Sequence, residues 1–474
     1  MQEFDIEVDV LVIGAGGAGL AAAVAAHEAG VSVAVVEKQE RPGGNTALST
    51  GSLPGAGTRY QKKAGIIDSA DTLHDDLMGL SGLHDASDLT RLLASKSAEL
   101  VEWLADVMNV RLDVITDYKH VAHSVPRLHA PSSRKGQDLV DDMVAAVEAR
   151  GIPLVLSNPV QKLEVDREGR VVGATTLTKQ GEVSRIGARK TILAVNGFGA
   201  VPAMVVRFCP EVAGAMYVGA HGSQGEAVTW GQALDAKLGN MASYQGYAAV
   251  IHPHGELLSW TTLEKGGILV NTKGQRFGDE AIGYSGYTAP VMRQDGAVHA
   301  IFDQRIHDIA EREPWFKEVL DYGGAKKADD LESVARAIGV DAAALKATVK
   351  DYNASAAGRQ PELHGRTHFG VAPLQGPFWY TRVLPALLST QGGLMIDLSG
   401  RVTKQSGGLV PNLFAAGGAV AGIAGSSGGV GYASGSGLLH AIGLGWIAGR
   451  AAAAEVAAAG EANHAARTPD TTKP

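Results

Sequence analysis

The stretch from Val8 to Lys38, VDVLVIGAGGAGLAAAVAAHEAGVSVAVVEK, constrains the fold of this chain more than any other. Its apolar run Val8 to Ile13 has the near-continuous hydrophobicity of a strand buried on both faces. Gly14, Gly16 and Gly19 follow in the spacing G-x-G-x-x-G, where such a strand turns into a helix. Gly14 permits the tight turn, Gly16 lets backbone approach a pyrophosphate, and Gly19 lets helix and strand pack closely. Gly17 and Ala18 complete the turn, and the Ala-rich helix expected over 20–29 offers its first amides and its dipole to the phosphates. A second buried strand, Val31 to Val36, ends in Glu37, placed to accept ribose hydroxyls, with Lys38 beside it. The pattern predicts a dinucleotide site of Rossmann type and leaves open whether NAD or FAD fills it.

Length and charge narrow the class. A chain of 474 residues can build two or three well-buried domains. A net charge of −8 supplies no basic footprint for nucleic acid or an anionic membrane. Cys209 is the only cysteine, which excludes a disulfide framework, a CxxC redox pair and iron–sulfur ligation within this chain. No basic-then-apolar leader precedes the first strand and no apolar run reaches spanning length, so a cytoplasmic protein without a membrane span is expected. The histidines lack metal-ligand spacing, so no metal is expected. Neither an electron acceptor nor an oligomeric state is marked in the sequence.

Further along, Gly43-Gly44-Asn45-Thr46 opens a turn rich in small and hydroxylic residues, Ser49 and Gly51 among them. Such a loop suits amides and hydroxyls laid along a flat ring system, and equally a flexible surface loop. An amphipathic helix is expected over 88–108, a solvated basic loop containing Arg127 and His129 over 124–136, and another helix over 137–150. Residues 160–195 alternate like strands, with turns at Glu168-Gly169 and Gln180-Gly181, and predict a three-stranded antiparallel meander. The meander closes on an apolar strand and the turn beginning Asn196-Gly197. A further helix opens at Glu226. Near 241 the texture shifts to aromatics, histidines and turns. The end of the chain returns to the first style, with a strand over 413–420, a Gly/Ser-rich turn over 425–437 and an Ala-rich helix.

The expected fold is therefore α/β. A Rossmann-like cofactor domain with the meander is built from 1–240 and 371–459. An inserted α+β capping domain occupies 241–370, and a disordered tail 460–474. A ligand would sit at the domain junction.

VIGAGGAGLAAAVAA, PGGNT, ILAVNGFG, GILVNTKGQRFGDE, TVKDYNASAAG, GGLMID and NLFAAGGAVAG together resemble the successive signatures of the fumarate reductase/3-ketosteroid dehydrogenase flavoproteins, over nearly the whole chain. The resemblance implies FAD, a capping catalytic domain, and hydride exchange between a substrate carbon and the flavin. It implies FAD contacts at Val160, Ala194, Asn196, Gly197, Glu226 and Gly418, the last standing where members often carry an acid. It adds Ser436, Gly437, Leu438 and Leu439, where a helix would point its N-terminus at the flavin. No histidine stands in PGGNTALS, where covalent members attach the cofactor, so noncovalent FAD is implied.

The two branches of that family differ at a few positions. The fumarate reductase branch carries an arginine four residues after the glutamate of its RF-x-x-E motif, and this chain has Tyr284 four after Glu280. That branch also carries His and Arg in the C-terminal turn, where this chain has Ala424 and Gly428. Its His-Pro pair does have a counterpart in His252-Pro253. The ketosteroid dehydrogenase branch has tyrosines resembling Tyr284 and Tyr432, and GYASGSG, with Ser434 and Gly435, looks closest to the Δ4-(5α) type.

The activity so implied is an FAD-dependent dehydrogenase placing a double bond alpha,beta to a ring ketone, either a 3-oxosteroid or a smaller oxocyclohexane. The rival is a soluble fumarate or enoate reductase. Desaturation beside a ketone needs a base for the alpha proton, donors for the enolate oxygen, and a hydride acceptor against the beta carbon. The resemblance gives Tyr284 the base's role, the Tyr432 hydroxyl and Gly435 amide the donor roles, and Ser434 that of a relay, with the two tyrosines exchangeable. Arg276 and Glu280 read as an ion pair shaping the cap. A carboxylated substrate would need an arginine, with Arg127, Arg293 and Arg305 as candidates.

Overall fold

The computed structural model describes residues 3–116, 120 and 122–467. Two large sheets organise the chain. The first is centred on the strand Ile6–Ile13, whose parallel neighbours are Val33–Val36 on one side and the end of Val183–Leu193 on the other. Val10, Leu11 and Val12 have no exposed surface, as a parallel strand covered on both faces requires. The helix Gly17–Glu28 covers one face and starts three residues earlier than the apolar pattern suggests. The expected meander is present as Val160–Val165, Val171–Leu177 and Val183–Leu193, paired antiparallel in that order. The C-terminal strand Leu409–Ala415 joins the far side of Val183–Leu193. It is shorter than the run expected over 413–420, because a single 3-10 turn takes over at Gly417–Ala419.

The last helix, Ser436–Arg467, lies along the first. A Cβ on Gly445 would stand 2.1 Å from the Ala18 carbonyl oxygen, and one on Gly449 would stand 2.3 Å from that of Ala22. Only glycine allows the two backbones to meet so closely. The helix continues past the expected boundary at 459, so 460–467 is helical rather than disordered; residues 468–474 lie outside the described residues.

The second sheet is built around the long strand Phe378–Thr390. Ala242–Ile251, Val298–Asp303 and Lys326–Ala328 pair with it antiparallel, and Met216–Tyr217 parallel. Ile268–Val270 and Ser427–Gly428 complete it. The sheet thus draws on segments outside 241–370 at both ends. It has its own apolar core, including Ile251, Leu269, Ile301 and Phe316. The helices Leu331–Ile338 and Ala342–Ala356 flank Gly339, which takes the left-handed conformation at φ +75°. Asp330 and Asp341 cap them by accepting backbone N–H bonds from Ser333 and Ala344.

Candidate functional site

A cavity of about 900 Å³ opens at the carboxyl ends of the first sheet's parallel strands, the place where open α/β sheets bind ligands. The turn after Ile6–Ile13 forms its floor. Gly14 adopts φ +107°, and a Cβ there would stand 2.3 Å from the Ala194 carbonyl oxygen. A Cβ on Gly19 would stand 1.8 Å from Gly14 oxygen, so this glycine serves helix-to-strand packing and does not line the cavity. Gly16 differs, since the nearest atom to its Cβ position is Gly43 oxygen at 3.6 Å. Packing does not demand a glycine there, but the close approach of a pyrophosphate does. Gly44 has nothing within 4 Å of its Cβ position and faces the same cavity. These observations fit a dinucleotide held on the amides of the turn.

Gly17, Ala18, Lys38, Gly43, Asn45, Thr46, Val160, Ala194, Asn196, Glu226 and Gly418 also line the cavity. Thr46 Oγ1 accepts a hydrogen bond from Gly17 N at 3.1 Å, and Asn45 Oδ1 accepts one from Ala220 N at 2.7 Å. The GGNT loop is therefore fixed against the helix start rather than loose on the surface. Lys38 and Glu226 form an ion pair across the cavity. Glu37 faces the cavity but already accepts from Ala15 N at 2.7 Å and Gln39 N at 2.8 Å. Each carboxylate oxygen retains a further lone pair for a ribose hydroxyl.

Several implied contacts do not line this cavity. Ser49 and Gly51 build the loop against the helix Gly136–Glu148, with Ser49 oxygen accepting from Gly136 N at 2.7 Å. A Cβ on Gly197 would meet Thr390 Oγ1 at 2.3 Å, so this glycine packs against the second sheet. Leu438 and Leu439 are buried core residues, and Ser436 and Gly437 face Tyr432 instead. Conversely, Lys179 at the meander turn and the loop from Tyr217 to Gly222 line the cavity without belonging to any motif. The closely spaced glycines Gly219 and Gly222 were the one available signal.

Tyr284 and Tyr432 come together although one lies between the strands Ile268–Val270 and Val298–Asp303 and the other between Ser427–Gly428 and the last helix. Their ring centroids are 6.3 Å apart and the planes are tilted by 59°. Tyr284 follows a single 3-10 turn, Glu280–Ile282, and Gly283 at φ +92°. Its carbonyl accepts from Ala248 N and Thr288 Oγ1, pinning it to the second sheet. Its ring stacks on Tyr247 at 5.0 Å and meets the edge of Trp260 at 6.4 Å. Burial pushes its phenol up to about 12, while the facing side chains of Gln245 and Ser434 favour the ionised form. Tyr432 is raised as well, first by burial and then by Tyr284, against the pull of the Gly437 amide and Ser436. Its hydroxyl lies 2.4 Å from where a Cβ on Gly437 would stand, directly over the start of the last helix. Ser434 and Gly435 share this turn, with Gly435 at φ +78°. Ala441, one turn into the helix, lines the cofactor cavity, so the helix links cavity and tyrosine pair.

The charged residues nearby are largely committed. Glu280 has no exposed surface and lies between Arg276 at 2.6 Å and Arg366 at 3.1 Å. Arg276 also pairs with Glu362. The expected ion pair is thus part of a buried four-residue network. Arg127 is 1% exposed and bound to Asp68 and Asp76, which corrects the expectation of a solvated basic loop. His129 is fully buried beside Thr58 Oγ1 at 2.8 Å. Arg305 pairs with Asp303 and donates to Pro373 oxygen. Arg293 lines a smaller cavity of about 470 Å³ behind the two tyrosine-bearing turns.

The chain is 30% identical over 425 residues, 88% of its length, to NADH:fumarate oxidoreductase from Klebsiella pneumoniae (strain 342), of which it spans 45%. It superimposes with a TM-score of 0.79 on a flavocytochrome c3 fumarate reductase in an open conformation, at 28% identity, covering 95% of this chain and 79% of that one. It superimposes with a TM-score of 0.76 on the 3-ketosteroid-Δ4-(5α)-dehydrogenase of Rhodococcus jostii RHA1 in complex with 4-androstene-3,17-dione, at 27% identity, covering 96% of this chain and 98% of that one. No helix among the described residues is long and apolar enough to cross a membrane. A family model described as the FAD binding domain matches residues 9–438, and the chain belongs to that family as an FAD-dependent oxidoreductase related to the fumarate reductases and ketosteroid dehydrogenases.

Proposed function

We propose that this protein desaturates a ring ketone alpha,beta to its carbonyl, a 3-oxosteroid or a smaller oxocyclohexane, with noncovalently held FAD. The observation that carries the reading is the convergence of Tyr284 and Tyr432 beside the N-terminus of the last helix. FAD, when bound, supplies the two-electron hydride acceptor. The chain supplies the rest. Tyr284, the easier of the two phenols to ionise, takes the proton from the carbon alpha to the ketone, and Ser434 facing its hydroxyl relays that proton onward. Tyr432 is turned to the Gly437 amide. A hydroxyl that accepts from an amide keeps its own proton for the substrate carbonyl, so Tyr432 donates to the developing enolate oxygen together with the Gly435 amide. The proton and hydride leave adjacent carbons and a C=C bond remains.

The Rossmann-like unit of 1–240 and 371–459 acts as the cofactor domain in this reading, and the unit of 241–370 as the cap closing over substrate. Arg127 and Arg305 are spent on carboxylates and Arg293 lines the separate smaller cavity, which favours a neutral ring ketone as the substrate.

Anaerobic titration with 3-oxo-5α-steroids and simple cyclohexanones tests the proposal by loss of the oxidised-flavin band. Tyr284→Phe should retain yellow flavin that no ring ketone bleaches, and undiminished bleaching would refute the base assignment. The similarity to an NADH:fumarate oxidoreductase favours a second reading as a fumarate or enoate reductase. Rapid reoxidation of the chemically reduced protein by fumarate would support it. Against it stands Tyr284 in the place of that branch's arginine.

A further inference from the structure

The Nε2 of His123 lies 2.9 Å from the carbonyl oxygen of Ser434. A carbonyl oxygen only accepts, so Nε2 carries the hydrogen and Nδ1 is the bare nitrogen. Among the described residues that enclosed Nδ1 has no hydrogen-bond partner. Burial, with Arg127 close by, holds the ring down at about 4, so it is neutral in the physiological range. The backbone after His123 is tied in turn. Asp76 accepts from Ser124 N at 2.7 Å and from its hydroxyl at 2.8 Å, and also binds the buried Arg127. His123 is therefore a donor whose next residue is anchored to Asp76, spent on one peptide carbonyl.

That carbonyl belongs to the same planar peptide unit as the Gly435 N–H. In a trans peptide the C=O and the N–H point in opposite directions. A donor holding Ser434 oxygen on one side thus sets the direction of Gly435 N–H on the other. Among the described residues this N–H donates to no protein acceptor, although Gly435 oxygen accepts from Leu438 and Leu439 at the start of the helix. The φ of +78° at Gly435 places the unit in a turn that could otherwise rotate.

We propose that His123 is a positioning residue that aims the Gly435 amide at the carbonyl oxygen of the bound ketone. This rests on the ring-ketone reading above. By holding Ser434 oxygen, the imidazole keeps the Gly435 N–H pointed away from His123, and polarises it as a donor. The ring touches neither substrate nor cofactor.

The carbonyl stretch of bound 4-androstene-3,17-dione, read by infrared difference spectroscopy on the FAD-loaded protein, reports the aim directly. Wild type should shift the ring carbonyl to lower frequency than in water. His123→Leu should lose most of that shift, and His123→Gln, whose amide nitrogen can reach Ser434 oxygen, should restore it. In turnover with a saturated 3-oxosteroid, His123→Leu should lower kcat by about tenfold or more, with KM and FAD content within about twofold of wild type. His123→Gln should recover to within about threefold. Should the leucine variant fail to fold, His123→Asn, polar but too short to reach, takes its place with the same expectation. An unchanged carbonyl shift in His123→Leu or His123→Asn overturns the role of His123 while leaving the ketone reading intact. A wild-type protein that binds the dione or cyclohex-2-enone with no carbonyl shift, or binds neither, overturns both.

Discussion

The hydroxyl of Tyr432 stands 2.4 Å from the position a Cβ would occupy on Gly437, the second residue of the last helix. No side chain can enter at 437 without moving the phenol. Gly437→Ala should therefore fold and bind FAD but lower flavin reduction by ring ketones about tenfold or more, approaching the loss in Tyr432→Phe, which removes the donor and should cost about 10²–10³ in rate. Stopped-flow loss of the oxidised-flavin band measures both. Equal rates in Gly437→Ala and wild type would show the hydroxyl is not needed where it stands.

The pH dependence of that half-reaction has a defined sign. The base is the ionised phenol, and Tyr284 sits at about 12 before substrate enters. The ionised fraction, and with it the flavin-reduction rate at low substrate, should rise about tenfold per pH unit from pH 7 to 9. A flat profile would remove a free-phenol base from consideration.

Glycines at the cofactor turn separate into packing and approach. Gly14→Ala puts a Cβ 2.3 Å from Ala194 oxygen at a φ unsuited to side chains. It should destabilise the protein by about 3 kcal/mol or more, seen in thermal melts without FAD. Gly16→Ala meets only ordinary contact distance in the protein itself. It should melt near wild type without FAD yet bind FAD at least about tenfold more weakly, a split readable by flavin fluorescence titration.

Glu280→Gln removes the anion that pairs with both Arg276 and Arg366 while Glu362 still pairs with Arg276. Leaving buried guanidinium charge uncompensated should cost about 3–5 kcal/mol, measured as a lowered Tm. Since the charge pair shapes the turn before Tyr284, flavin reduction should slow in the same variant.

Acid should unfold the protein early. Burial holds His123, His129, His299 and His440 down at about 4 in the folded chain, against about 6.5 when unfolded. Between those values the unfolded chain binds more protons, so stability falls as pH drops from about 6.5 toward 4. Tm measured at half-unit steps should decline through this window. A constant Tm down to pH 5 would mean these rings are charged or exposed.

What the sequence revealed follows from how local each signal is. The fingerprint and the meander are periodic or turn-driven patterns complete within short windows, and they appear as expected. Arg127 could not be placed that way. Its partners Asp68 and Asp76 lie on a distant segment, and a basic loop looks solvated until they are found. The same holds for Phe378–Thr390, whose four strand partners are scattered from 216 to 328. The tyrosines were legible only through family likeness, since a phenol in a glycine-rich turn carries no pattern of its own. His123 was invisible, because its task is a single bond to a backbone atom more than three hundred residues away.

The glycine-mediated seam between Gly17–Glu28 and Ser436–Arg467 has a consequence for biogenesis. The helix Gly17–Glu28 is made some four hundred residues before the helix that lies along it. Until then the face of Gly17–Glu28 that meets Ser436–Arg467 is bare, and a nascent chain must hold that apolar stripe uncovered while the intervening residues are translated. Deleting Ser436–Arg467 should accordingly leave an insoluble product, with the damage felt at Gly17–Glu28.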